Sequence, residues 1–196
     1  AEKGGGVLGA LGTHAFDIIH WLFGPTKNIN ALLSTSIKER VEPISNETRK
    51  VTSEDTVLAQ LQIGGAKPDF LIPAQVTLSA VATDGRGCWI EVYGSKGTLI
   101  LGSKNQKDYV HGFGLSLTKT GEQTKSVIPD KDLAFQKTWT DGRIAPVARL
   151  QSWWAESIKN EQPIIPGLTE GLSSQIVCDS IRESTIAGER YQIENY

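Results

Sequence analysis

The 196-residue sequence is poor in the side chains that most often announce a chemistry: it has 2 cysteines and 3 histidines. Cys88 lies in an alternating strand pattern and Cys178 in a helical stripe far along the chain, so the two read as buried free thiols. With no Cys/His cluster at ligand spacing, no metal site is expected. Unpaired thiols fit a reducing, cytoplasmic compartment. No apolar run approaches the ~18 residues that cross a bilayer, and no secretory leader is expected. Asn46-Glu47-Thr48 matches a glycosylation sequon, but nothing else in the chain points to secretion. Charge of one sign is also lacking: 20 basic residues face 22 acidic ones, for a net charge of -2. No global field therefore recruits nucleic acid or an anionic membrane. The lysines scattered between positions 96 and 107 are broken by Gly and Asn and read as a solvated loop. Repeats, low-complexity tracts and flexible linkers are missing too, which predicts one domain over residues 1–196. At 39% hydrophobic residues, such a domain can bury roughly 70% of its unfolded surface.

What the sequence does have begins at Gly4-Gly5-Gly6. A glycine cluster runs into an apolar-periodic segment that closes on Gly24-Pro25, the start and stop signals of a helix. Residues three and four apart share a helical face. Ala10, His14, Asp17 and Trp21 should line one stripe, with Leu8, Leu11, Ala15, Ile18, Ile19 and Leu22 supplying apolar bulk. Gly4-x-Gly6-x-x-Gly9 formally satisfies the dinucleotide fingerprint, which works only where a buried strand feeds the turn. Residues 1–3 are too few for that strand, and no βαβ unit follows the helix. The glycines read instead as positions of close backbone approach or unusual dihedrals.

After Pro25 the period changes to two. Ile29, Ala31, Leu33, Thr35 and Ile37 alternate with polar residues, and positions 39–54 read as a long polar loop. Further strand faces are predicted at Val57, Ala59, Leu61 and Ile63, at Val76, Leu78, Ala80 and Ala82, and at Cys88, Ile90 and Val92. A short strand follows at 98–101, then a hairpin around Thr120-Gly121. No connection between the first five strands is helical, so antiparallel pairing is favoured. The second faces carry Ser34, Ser36, Gln60, Gln62, Gln75, Thr77 and Ser79, polar but uncharged. Such a face suits an oligomer contact, a substrate surface or an ordinary solvated sheet. Residues 129–143, with Phe135 and Trp139, read as a loop entering a helix marked by Val147, Leu150, Trp154 and Ile158; Trp153 and Trp154 are expected in a core. A last helix carries Leu172, Ile176, Val177 and Ile181, with Ser180 and Ser184 small enough for close packing and Gly188 as its C-terminal cap. Positions 190–194 offer an edge strand.

Three stretches in order resemble the second domain of the Gfo/Idh/MocA family of NAD(P)-dependent oxidoreductases. They are Gly4-Gly5-Gly6 through Gly12-Thr13-His14, Asp17 and Trp21-Leu22-Phe23-Gly24; Val92 to Leu99 with its Gly94-Ser95-Lys96-Gly97-Thr98 turn; and Glu170-Gly171-Leu172 through Asp179-Ser180-Ile181 to Glu183-Ser184 and Gly188. The resemblance implies an α+β fold, a large, mainly antiparallel open sheet with helices packed on one face, like the C-terminal domain of dihydrodipicolinate reductase. It implies a substrate-binding and oligomerisation domain acting on a sugar, cyclitol or related polyol, and a homo-oligomer formed through the open sheet face. NAD or NADP would be held by an N-terminal dinucleotide-binding domain outside this sequence, so none is expected bound to these residues.

A histidine one turn from a carboxylate is also what proton transfer needs. The imidazole of His14 can exchange a proton with a substrate hydroxyl, because histidine titrates near neutrality, and Asp17 can fix the ring's tautomer. The resemblance implies the same role for the histidine. The family's histidine is usually preceded four residues earlier by an aspartate, where this chain has Ala10, and its Glu-Lys-Pro motif is not matched by Glu2-Lys3-Gly4. A catalytically silent relative, kept for carbohydrate binding or assembly, therefore stands beside the active enzyme as a reading, as does an unrelated α+β binding domain. His20 and His111 have no partner visible in sequence and are expected at the surface.

Overall fold

The computed structural model describes residues 5–65, 70–103, 113–127 and 141–193. The loop expected from 129, His111 and the Glu2-Lys3 pair fall outside them, the loop except for its last residues. The elements run in the order π-helical turn Leu8–Gly12, α1 Thr13–Phe23, β1 Thr26–Ser34, β2 Glu39–Val41, β3 Thr48–Lys50, β4 Thr56–Gly64, β5 Leu71–Ser79, β6 Cys88–Gly94, β7 Gly97–Ser103, β8 Gly114–Lys119, β9 Lys125–Ser126, α2 Ile144–Asn160, α3 Leu168–Ala187 and β10 Tyr191–Gln192. They divide into two compact units, residues 1–83 with 165–196, and residues 84–164.

The first unit is built on a four-stranded sheet in the order β10-β1-β4-β5, antiparallel at every pairing. Alternation explains it. Ile29 on β1, Val57, Ala59, Leu61 and Ile63 on β4, and Val76 on β5 all point to one face and are buried. Helix α3 covers that face with Val177, Cys178 and Ile181, and α1 lies against α3 and brings Phe16 into the same core. Both helices thus sit on one side of the sheet, as expected. The opposite face keeps Asn30, Gln60, Gln75 and Thr77 exposed.

Strand β10 pairs with β1 only at Asn28 and Ile29. One step further along that edge, the backbone of Ala31 would be left bare. Two hydroxyls from α3 take it instead: Ala31 N–H donates to Ser184 Oγ at 3.1 Å, and Thr185 Oγ1 donates to Ala31 O at 3.3 Å. Ser184 is completely buried and passes its own proton to Glu189 O at 2.7 Å. The helix then stops where Gly188 adopts φ 67° and returns its N–H to Ser184 O.

Positions 39–54, read as a loop, contain the β2–β3 hairpin. All six of its strand residues are exposed, so there was no apolar face to give a period-two signal. Asp55 ties its base to the sheet. Its carboxylate accepts Ser36 N–H and Ile37 N–H at 2.8 to 2.9 Å, and these backbone donors hold its pKa down to about 2.

In the second unit, β6-β7-β8-β9 form another antiparallel sheet. Trp89 lies opposite Gly102, and its indole covers the place a side chain there would fill. The Arg86 guanidinium stacks 4.7 Å over the same ring. Cys88, expected to be buried, is exposed because it opens β6, an edge strand. Helix α2 forms at the expected spacing, yet none of its residues is buried. Trp153 and Trp154, expected in a core, are 50% and 60% exposed. Leu172 on α3 is likewise outside the core.

Ser184→Ala would leave Ala31 N–H and Glu189 C=O without their partner while changing little volume. Stability should fall by about 1–3 kcal/mol, read from the midpoint of urea unfolding at unchanged slope.

Candidate functional site

The helix that carries the candidate residues begins under strain that glycine relieves. Gly5 and Gly6 adopt φ of 123° and 91°, conformations that side chains disfavour. A Cβ on Gly6 would also collide with the Glu54 carboxylate. That carboxylate accepts Leu8 N–H at 3.2 Å, and Glu54 O accepts Val7 N–H at 3.0 Å. At the other end of the same residue, the Cys178 thiol points at Leu8 O, 3.9 Å away, and burial raises its pKa to about 11. Close approach and unusual dihedrals are thus what these glycines provide.

The turn that follows, Leu8–Gly12, is π-helical. One extra residue in the turn shifts the phase of everything after it. Phe16 becomes the fully buried anchor of α1, with Ile19 and Phe23 packed beside it. Leu11, Ile18 and Leu22, expected to supply apolar bulk, are instead exposed, and Trp21 is 81% exposed. His14 stands exposed in the middle of this outward stripe. Asp17 is half-buried one turn further on. The structure places both on one helix as the spacing requires, but no hydrogen bond joins them. The charge of Asp17 acts on His20 instead. Ala10 lies exposed within the π-turn.

His20, expected as a surface residue without partners, is half-buried and fully engaged. Thr26 N–H donates to its Nε2 at 3.2 Å, Thr26 Oγ1 lies 3.0 Å from the same atom, and Nδ1 lies 2.9 Å from Ser173 Oγ. An Nε2 that accepts from a backbone amide places the ring proton on Nδ1, facing the serine. Burial lowers the pKa of His20, opposed by the weaker pull of Asp17. The ring therefore ties α1 to β1 and α3. Thr26 lies just past the Gly24-Pro25 stop, a clue in sequence; Ser173, on α3, gave none.

Among the described residues, no group of three or more His, Cys, Asp or Glu is placed to hold a metal ion, and no helix is long and apolar enough to cross a membrane. A depression of about 210 Å³ along α2 is lined by Arg143, Ile144, Val147, Ala148 and Gln151. It contains no histidine, thiol or carboxylate.

An antiparallel sheet with two helices on one face, the first of them glycine-led and presenting a histidine outward, defines an α+β domain. Comparison with known proteins makes the class specific. The profile of the Gfo/Idh/MocA group described as "Oxidoreductase family, C-terminal alpha/beta domain" matches residues 1–193, and the chain belongs to that family. An uncharacterized oxidoreductase of Synechocystis sp. is 43% identical over 184 residues, 93% of this chain and 48% of that protein. Two solved structures share the fold at lower identity. An NAD binding oxidoreductase from Klebsiella pneumoniae has a TM-score of 0.75 at 21% identity, covering 98% of this chain and 52% of that one. Levoglucosan dehydrogenase in complex with NADH has a TM-score of 0.76 at 19% identity, covering 98% and 51%. The chain thus spans about half the length of the relatives it matches.

His20 generates a pH dependence. Its folded pKa lies below that of a free imidazole, ~6.5, so the unfolded chain takes up the proton first. The stability this residue contributes is complete above pH 6.5 and is lost as the pH falls through that value toward the folded pKa. Urea unfolding at pH 7.5 and pH 5 should show a loss on acidification that is smaller in His20→Gln.

Proposed function

We propose that this chain is the substrate-binding and oligomerisation half of an NAD(P)-dependent oxidoreductase acting on a sugar, cyclitol or related polyol. The observation that carries the reading is the outward stripe of α1. Leu11, Ile18, Trp21 and Leu22 surround an exposed His14, on a chain about half as long as its relatives. Apolar side chains clustered around a proton-transfer group are what a complete enzyme closes over its substrate. His14 takes the proton of a substrate hydroxyl as the carbon bearing it is oxidised. Asp17 stands one helical turn further on, close enough for a small side-chain rotation to bring it to the ring and fix its tautomer.

The residues of this chain do not fit a dinucleotide themselves. Leu8 N–H, a donor that a pyrophosphate would meet at a helix start, is occupied by Glu54, whose negative charge repels phosphate. The cofactor belongs to the half that the relatives carry beyond the matched region. The substrate class is supported by levoglucosan dehydrogenase, which shares this fold and has been solved with NADH and levoglucosan and with NADH and L-sorbose. The open sheet face supports assembly with a second copy in the cytoplasm: exposed Leu32 and Leu58 sit there among the uncharged side chains of Asn30, Gln60, Gln75 and Thr77.

The test is the longer protein that contains this chain, assayed for NAD(P)H absorbance across a panel of polyols. His14→Ala should lower kcat/KM by ~10²-fold or more, the scale of a lost general acid–base. An unchanged rate, or no turnover with any polyol, would favour a silent relative that binds carbohydrate or serves assembly, the reading that Ala10 keeps open.

A further inference from the structure

We propose that Glu54 is the positioning residue for His14, fixing through the π-turn the direction in which α1 presents the imidazole; the proposal rests on the catalytic reading of His14. His14 makes no hydrogen bond of its own among the described residues, so its direction is inherited from the rotation of its helix. That rotation is set where the helix begins. Neither Val7 nor Gly12 contributes a side-chain cap. The fixed point is the Leu8 backbone, whose N–H meets Glu54 Oε1 at 3.2 Å and whose carbonyl faces the Cys178 thiol, with Val7 N–H on Glu54 O at 3.0 Å.

Glu54 can serve as a reference because its own backbone is anchored. The next residue, Asp55, gives its N–H to Ser34 O at 2.9 Å, accepts Ala80 N–H at 2.8 Å, and grips Ser36 and Ile37 through its carboxylate. Glu54 therefore stands on the corner of the sheet where β1, β4 and β5 are tied together. The phase matters because a π-turn holds one residue more than regular helix would. Were it to relax to α-helical spacing, the following residues would rotate by about 100° relative to the lead-in. His14 would then turn, together with Ile18 and Trp21, away from the direction it now faces. Gly6 lacks the side chain that would push the carboxylate away.

The test uses the longer protein with three substitutions. Glu54→Ala removes the acceptor, Glu54→Asp keeps the charge but shortens its reach, and Glu54→Gln keeps an oxygen in place without charge. Misplacing a catalytic group by about an ångström costs on the order of 10²-fold. Glu54→Ala and Glu54→Asp should lower kcat by that order with little change in KM, and Glu54→Gln should recover to within about threefold of wild type. The His14 ring resonance in a ¹H–¹³C correlation spectrum, assigned by its loss in His14→Ala, should move in the Ala and Asp variants and return in Gln. Folded Ala and Asp variants with wild-type kcat and an unmoved His14 resonance would overturn the proposal. If Glu54→Ala does not fold, Glu54→Asp alone decides. If the protein turns over no polyol, the catalytic reading fails on its own, and the ring resonance still settles whether Glu54 orients His14.

Discussion

The closure of the β1 edge at Ala31 is the constraint from which the first unit takes its shape. Beyond the two residues that β10 reaches, a bare N–H and C=O would remain in the half-buried seam under α3. Ser184 and Thr185 satisfy both, which holds the helix within hydroxyl reach of the strand. Ser180 and Ser184, both buried, leave room for that approach. The energy comes mostly from elsewhere. Each fully buried aliphatic side chain, such as Val177, Ile181, Ile29 or Val57, contributes about 1.5–3 kcal/mol, against about 1 kcal/mol net for a hydrogen bond. Packing supplies the stability; the two hydroxyls decide where along β1 the helix lies.

Helix α1 inherits that position at one remove, since it rests on α3 rather than on the sheet centre. Its two ends are fixed by different means. At the start, glycines at positive φ bring the chain down to Glu54. At the end, Gly24 takes φ 104° and lies so close to Gly64 that a Cβ would strike the Gly64 carbonyl. The last turn is pinned by His20 to Thr26 and Ser173. A helix of 11 residues held at both ends has little freedom to rotate, which is what a side chain without local bonds requires in order to point one way.

Much of this was legible in the sequence, for a physical reason that also marks where legibility stops. Strand β4 announces itself because Val57, Ala59, Leu61 and Ile63 face a core and their neighbours do not; α3 does the same with Val177, Ile181 and the Gly188 stop. The β2–β3 hairpin buries nothing, so Glu39–Val41 and Thr48–Lys50 leave no periodic trace. On α1 the arithmetic of 3.6 residues per turn fails across Leu8–Gly12, because the turn is π. Of the apolar set the spacing predicts, Leu8 and Ile19 do face the core, but Leu11, Ile18 and Leu22 turn outward and Phe16 is the anchor. Glu54 gave no signal, since its role depends on a backbone approach across 46 residues. The same holds for His20, whose serine partner is 153 residues away.

The two histidines of α1 differ in what holds them. Both ring nitrogens of His20 are committed, Nδ1 to Ser173 and Nε2 to Thr26. A proton added to that ring would displace the Thr26 amide and loosen the joint between α1, β1 and α3. A residue in that condition cannot cycle protons without unmaking its own support. His14, six positions earlier on the helix, has neither nitrogen engaged by the described residues and stands among apolar side chains that face outward. It can gain and lose a proton while the helix beneath it stays still, because that helix is held by Phe16, Glu54 and His20 instead. The spacing of the two histidines thus separates a ring that braces the helix from an exposed ring that braces nothing, and the proposed proton transfer rests on the second.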